Sequence, residues 1–73
     1  MNEKSIYYKR NKVRQARLRA EIATQKELAE LTGISPNIIS DLERGRRVLS
    51  PTWAMRIAEA VGTDWRNLLD ENE

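Results

Sequence analysis

Gln25 to Leu42 reads QKELAELTGISPNIISDL, and this stretch decides the fold. Ala29 stands where two helices cross closely, because a larger side chain would hold them apart. Gly33 supplies the positive φ that a three-residue turn requires. Ile39 then faces back toward Leu28 and Ala29 and locks the second helix across the first, with Ile34 and Leu42 around it. An Ala-x-x-x-Gly pair alone also occurs in ordinary helical hairpins. The complete set predicts two short helices joined by a tight turn, crossed at an angle that fits a DNA major groove.

Start and stop signals continue on both sides. Thr24 is an N-cap, and Glu27 three residues on completes a capping box. Leu28, Ala29 and Leu31 form the apolar stripe of the helix that follows. Ser35-Pro36 starts the next helix, with Pro at the first helical position where its missing N–H costs nothing. Ile38, Ile39 and Leu42 supply its buried side and Gly45 stops it. Ser50-Pro51 repeats the start signal for a helix lined by Trp53, Ala54, Ile57, Ala58 and Val61 and ended by Gly62. Thr63 is expected to cap a last short helix carrying Trp65, Leu68 and Leu69. Upstream, Val13, Ala16, Arg17 and Ala20 share one face of a helix expected over about residues 9–22. No alternation of strand type occurs, so the expectation is an all-α globule of five helices.

Composition narrows the chemistry. The chain has 73 residues, 40% of them apolar, which suffices for one small core. With no Cys there is no disulfide framework, thiolate metal site or nucleophilic thiol, and with no His there is no imidazole base. No apolar run approaches the roughly 18 residues that span a bilayer. The start, Met1-Asn2-Glu3-Lys4-Ser5, lacks the apolar stretch of a secretion signal, so a cytoplasmic chain is expected.

The net charge of +2 conceals an uneven distribution. Lys4, Lys9, Arg10, Lys12, Arg14, Arg17 and Arg19 face only Glu3 in the first 19 residues. Lys26 is then outnumbered by Glu21, Glu27, Glu30, Asp41 and Glu43, before Arg44, Arg46 and Arg47 restore positive charge. Two basic blocks brought to one face would make a polyanion footprint; a solvated basic arm is the plainer alternative. Tyr7 and Tyr8, beside Lys9 and Arg10, are read as anchors of that arm. The expected organisation is a basic arm over residues 1–8, a helix–turn–helix domain over 9–69 and an acidic tail over 70–73.

Several segments together carry a family resemblance. Thr24-Gln25-Lys26-Glu27-Leu28-Ala29, Gly33-Ile34-Ser35, Ile39-Ser40 and Leu42-Glu43-Arg44-Gly45 resemble the lambda-repressor/Cro-type (XRE) helix–turn–helix family. Ile57-Ala58-Glu59-Ala60-Val61-Gly62 is similar to that family's fourth helix. The resemblance implies a compact five-helix DNA-binding domain of a bacterial or phage transcription regulator, a repressor or controller protein. Such regulators usually act as homodimers on a palindromic double-stranded operator, without a cofactor or metal.

It also implies residue roles. Pro36, Asn37, Ser40 and Asp41 fall where the family reads base edges, and the Asn37 amide suits adenine N6 and N7. Pro36 and Asp41 depart from the usual polar pattern. Pro36 has only apolar contact to offer, while Asp41 has cytosine N4, water or Arg44 as alternative partners. Gln25 is placed at a phosphate while bracing the recognition helix, and Ser35, Arg44, Arg46 and Arg47 are placed at phosphates. Glu43 is expected in a structural ion pair with Arg17, or with Arg19 in a shorter-turn alignment. Trp53 is expected in the core. Trp65, Leu68 and Leu69 are expected at a dimer contact, with closure of the monomer core as the alternative.

A different class of function is an antitoxin-type module that holds a cognate protein through its acidic centre and the apolar end at Trp65. An enzyme is not expected. Glu27, Glu30 and Asp41 at helical spacing make a wet charged face without a cleft or a nucleophile.

Overall fold

A computed structural model describes residues 10–69. The basic arm and the acidic tail expected at the two ends, with the Tyr7–Tyr8 pair, lie outside the described residues. Four α-helices follow one another: α1 (Val13–Arg19), α2 (Gln25–Thr32), α3 (Pro36–Glu43) and α4 (Pro51–Val61). A single 3-10 turn, Trp65–Leu68, comes last. No strand forms among the described residues; an isolated antiparallel bridge joins Asn11 to Leu69.

The caps explain most boundaries. Thr24, Ser35 and Ser50 each accept a hydrogen bond from the backbone N–H three residues on, at Glu27, Ile38 and Trp53. Gly33 ends α2 at φ 77°, with its N–H donating to the Ala29 carbonyl at 2.8 Å. Nothing lies within 4 Å of where a Cβ would stand on Gly33, so backbone conformation and not space requires the glycine. Thr32 closes the turn by donating to the Leu28 carbonyl at 2.8 Å and accepting from the Ile34 N–H at 3.2 Å.

Three boundaries differ from expectation. α1 is shorter than the span 9–22 because both ends are arrested. Asn11 Oδ1 accepts from the Val13 N–H at 3.1 Å at the start. At the end Glu21 turns left-handed at φ 66°. The Glu21 and Ile22 N–H groups then return to the Leu18 and Arg17 carbonyls at 2.9 and 3.0 Å, the pairing of a Schellman stop. The fifth helix is reduced to one 3-10 turn of four residues, too short for an α-helical ladder. Its cap is Asp64, which accepts from the Arg66 N–H at 2.9 Å, and not Thr63.

The core is assembled from Val13 of α1, Leu28 and Ala29 of α2, Ile39 and Leu42 of α3, and Ala54, Ile57 and Ala58 of α4. Ile22, Ile34 and Leu49 from the connections and Leu68 and Leu69 from the end complete it. Leu31, placed in the stripe of α2 by periodicity, is 57% exposed. It lies about 60° around the helix from Leu28 but about 160° from Ala29, so with those two facing the core it falls on the solvent side. The 3-10 turn is tied back where the Lys12 N–H donates to the Leu68 carbonyl at 2.8 Å. No helix among the described residues is long and apolar enough to cross a membrane.

Candidate nucleic-acid interface

α3 has two unlike sides. Ile39 and Leu42 are completely buried, whereas Ser35, Pro36 and Asn37 are exposed and Ser40 and Asp41 half-exposed. A 3.6-residue period produces this division once α2 packs across one side. The Ser35 hydroxyl accepts from the Ile38 N–H at 3.3 Å, so the exposed start of α3 is a capped, ordered end. Ile38, expected on the buried side, is half-buried at the margin of the core.

The arginine run begins as α3 stops. Gly45 adopts φ 76°, and the Gly45 and Arg46 N–H groups return to the Leu42 and Asp41 carbonyls at 3.2 and 2.9 Å. This reversal folds the loop back beside the last turn of α3 and leaves Arg44, Arg46 and Arg47 exposed. Asp41 is partnered by Arg47, not Arg44: Arg47 Nη2 stands 3.7 Å from Asp41 Oδ2. The Arg47 guanidinium carbon also lies 5.7 Å from the centroid of the Trp53 ring. Trp53 is half-buried, one side against the core.

A buried network holds α3 from behind. Arg17 Nε and Nη2 donate to the two Glu43 carboxylate oxygens at 2.7 and 3.2 Å. Arg17 Nη1 donates to the Ile22 and Ala23 carbonyls at 3.0 and 2.9 Å. Only 6% of the Arg17 side chain and 2% of the Glu43 side chain are exposed. No buried side-chain polar atom among the described residues lacks a partner, so the charges are compensated. Arg19 is excluded from this network: it is exposed and lines an open groove with Lys12, Gln15 and Arg66.

Gln25 takes up the bracing part of its expected role. Its amide nitrogen donates to Glu43 Oε1 at 3.0 Å, so this half-buried side chain joins α2 to the end of α3. Of the two readings of the segment after α4, a dimer contact or closure of the monomer core, the second holds for Leu68 and Leu69. Leu68 and Leu69 are 0% and 7% exposed within the chain's own core, and Trp65 packs partly against it. The 3-10 turn lies on α4 and the Lys12 N–H bonds to the Leu68 carbonyl, so Leu68 and Leu69 close the monomer core.

Asn11 and Leu49 are structural residues that apolar periodicity does not mark. Asn11 Nδ2 donates to the Leu42 carbonyl at 2.9 Å, tying the start of α1 to the end of α3. A polar side chain just before the first buried position, Val13, is the cap-like signal that points to it. Leu49 is completely buried in a connection, where no repeat exists to reveal it.

The same two-helix geometry has an independent sequence counterpart. A family described as a helix-turn-helix domain matches residues 11–71, nearly all of the chain. The chain belongs to the helix-turn-helix domain family. Neither a curated protein nor a solved structure matches it. Within this helix-turn-helix domain, α2 and α3 form the motif, and α1, α4 and the 3-10 turn form the frame that fixes α3.

Proposed function

We propose that this helix-turn-helix domain is a sequence-specific DNA-binding transcriptional regulator of the lambda-repressor/Cro (XRE) kind, a repressor or controller protein. It inserts α3 into the major groove of a palindromic operator and works as a homodimer. The observation that carries this reading is the arrangement around α3. The exposed start, Ser35-Pro36-Asn37, and the exposed cations Arg44, Arg46 and Arg47 flank a helix whose other side is locked into the core.

Asn37 is the principal reader of a base edge, by bidentate pairing with adenine. Ser40 and the apolar rim of Pro36 follow the same groove. Ser35, Arg44 and Arg46 lie at the backbone, where they set register without reading sequence. Gln25 contributes by bracing α3 through Glu43.

Selection of bound sites from a random duplex pool tests the proposal. The expected result is an enriched site with two symmetric halves about one helical turn apart. With about 4–6 phosphate contacts per subunit, log affinity falls against log salt with a slope of roughly −7 to −11. Asn37→Ala should relax preference at one base position by about 1–3 kcal/mol, whereas Arg46→Ala weakens all sequences alike. A pool that enriches no site, or two variants that bind as the wild type does, overturns the reading.

A further inference from the structure

Asp41 poses an electrostatic problem that the rest of α3 does not. A carboxylate carried into a groove walled by phosphates is repelled unless a cation travels with it. Arg47 is that cation, at 3.7 Å, but Arg47 and Asp41 side chains are 46% and 36% exposed. A pair so long and so exposed is too weak to hold a flexible arginine by itself. The face of Trp53, 5.7 Å from the guanidinium carbon, is the second restraint.

The ring is well mounted for this task. It sits in the first turn of α4, where the Trp53 N–H is held by Ser50 Oγ at 3.2 Å. The next residue, Ala54, is completely buried. From the other side, the Arg46 N–H bonded to the Asp41 carbonyl at 2.9 Å brings the loop back to α3. Ring, guanidinium and carboxylate thus link α4, the arginine loop and α3.

We propose that Trp53 is a positioning residue for DNA reading: its indole face holds Arg47 beside Asp41, so that the carboxylate is neutralised within the protein before the helix meets phosphate. This rests on the DNA-binding reading above. Asp41 then reads no cytosine. It serves as the anchor that fixes Arg47, whose remaining N–H groups point along the backbone edge of the groove. Trp53 itself touches no nucleic acid.

Two measurements test the proposal, one of them without DNA. In the free protein, the Arg47 side-chain protons should show upfield ring-current shifts by NMR. Trp53→Leu should abolish the shifts and Trp53→Phe should retain them. On the selected duplex, Trp53→Leu should weaken binding about two- to fivefold per subunit, the range of a single exposed cation–aromatic contact, while Trp53→Phe stays near wild type. Trp53→Leu should add nothing in an Arg47→Ala background, and Asp41→Asn should recover most of its loss. A general packing role for Trp53 would move none of these dependences. Absent ring-current shifts, or an equal loss with and without Arg47, overturns the proposal. Retained shifts in a chain that selects no duplex support the clamp and sink the DNA reading, so the two failures are distinguishable.

Discussion

Two arginine–carboxylate pairs flank the end of α3, and they differ in almost every physical respect. Glu43 meets Arg17 through two hydrogen bonds of 2.7 and 3.2 Å, with 6% or less of either side chain exposed. Asp41 meets Arg47 at 3.7 Å, with more than a third of each side chain in solvent. The two carboxylates are separated by two residues, about 200° around the helix. One therefore turns into the frame and the other toward the proposed DNA surface. Identical functional groups become a structural pin or an adjustable surface charge according to the side of α3 on which they fall.

Removing one member of each pair gives the sharpest contrast. Glu43→Ala leaves the Arg17 guanidinium buried without its counter-charge, and a loss of about 3–5 kcal/mol is expected in urea unfolding. The double replacement Arg17→Met with Glu43→Leu should recover much of that loss, since no charge is then stranded. Asp41→Ala in the same assay should cost no more than about 1 kcal/mol. Comparable losses for Glu43→Ala and Asp41→Ala would break the comparison.

A smaller effect is expected in the connection that Arg17 grips. Glu21 holds a left-handed φ of 66° just before the Ile22 and Ala23 carbonyls that accept from Arg17. Glu21→Gly relieves that strain and should raise stability by about 0.5–1 kcal/mol, part of the relief being offset by glycine's greater unfolded freedom. An unchanged or lower melting temperature would show that the Arg17 contacts, and not Glu21, set the conformation there.

The smallest effect concerns a third, fully solvated pair. The Arg66 side chain, and then its backbone N–H, donate to Asp64 and hold its carboxyl below the usual carboxylate range. A lowered folded-state value means that the contribution is present above the ordinary carboxylate range and is lost as pH falls through the lower folded value. Carboxyl NMR should place the Asp64 midpoint below that of a free aspartate, and Arg66→Ala should move it upward. A midpoint unmoved by Arg66→Ala would show that the backbone N–H, and not the guanidinium, holds the value down.

Much of this was legible in the chain because the signals are local. Thr24, Ser35 and Ser50 cap through a neighbour three residues away, and Gly33 answers to its own φ. The apolar spacing of Leu28, Ala29, Ile39 and Leu42 identifies the crossing of α2 and α3 without coordinates. Local signals are less informative where an apolar position lies at the edge of a contact face, or where a terminal element is a single turn. Leu31 belongs to the apolar stripe of α2 by spacing yet is exposed, and of the two sequence readings for Leu68 and Leu69, dimer contact or core closure, packing selects the core. Asn11 and Leu49 carried no periodic signal, since their partners come from distant segments.

Reading the chain alone is enough for the order of the four α-helices, the caps of α2, α3 and α4, the two-helix motif and the placing of Asn37 and the arginines near α3. These depend on interactions spanning a few residues, whose geometry is set by backbone stereochemistry. Packing alone chooses Arg17 over Arg19 as the partner of Glu43, sets Arg47 between Asp41 and Trp53, and buries Leu68 and Leu69 in the core. Each of those choices depends on which distant surface a side chain meets after the helices pack, and burial then sets the strength of the contact.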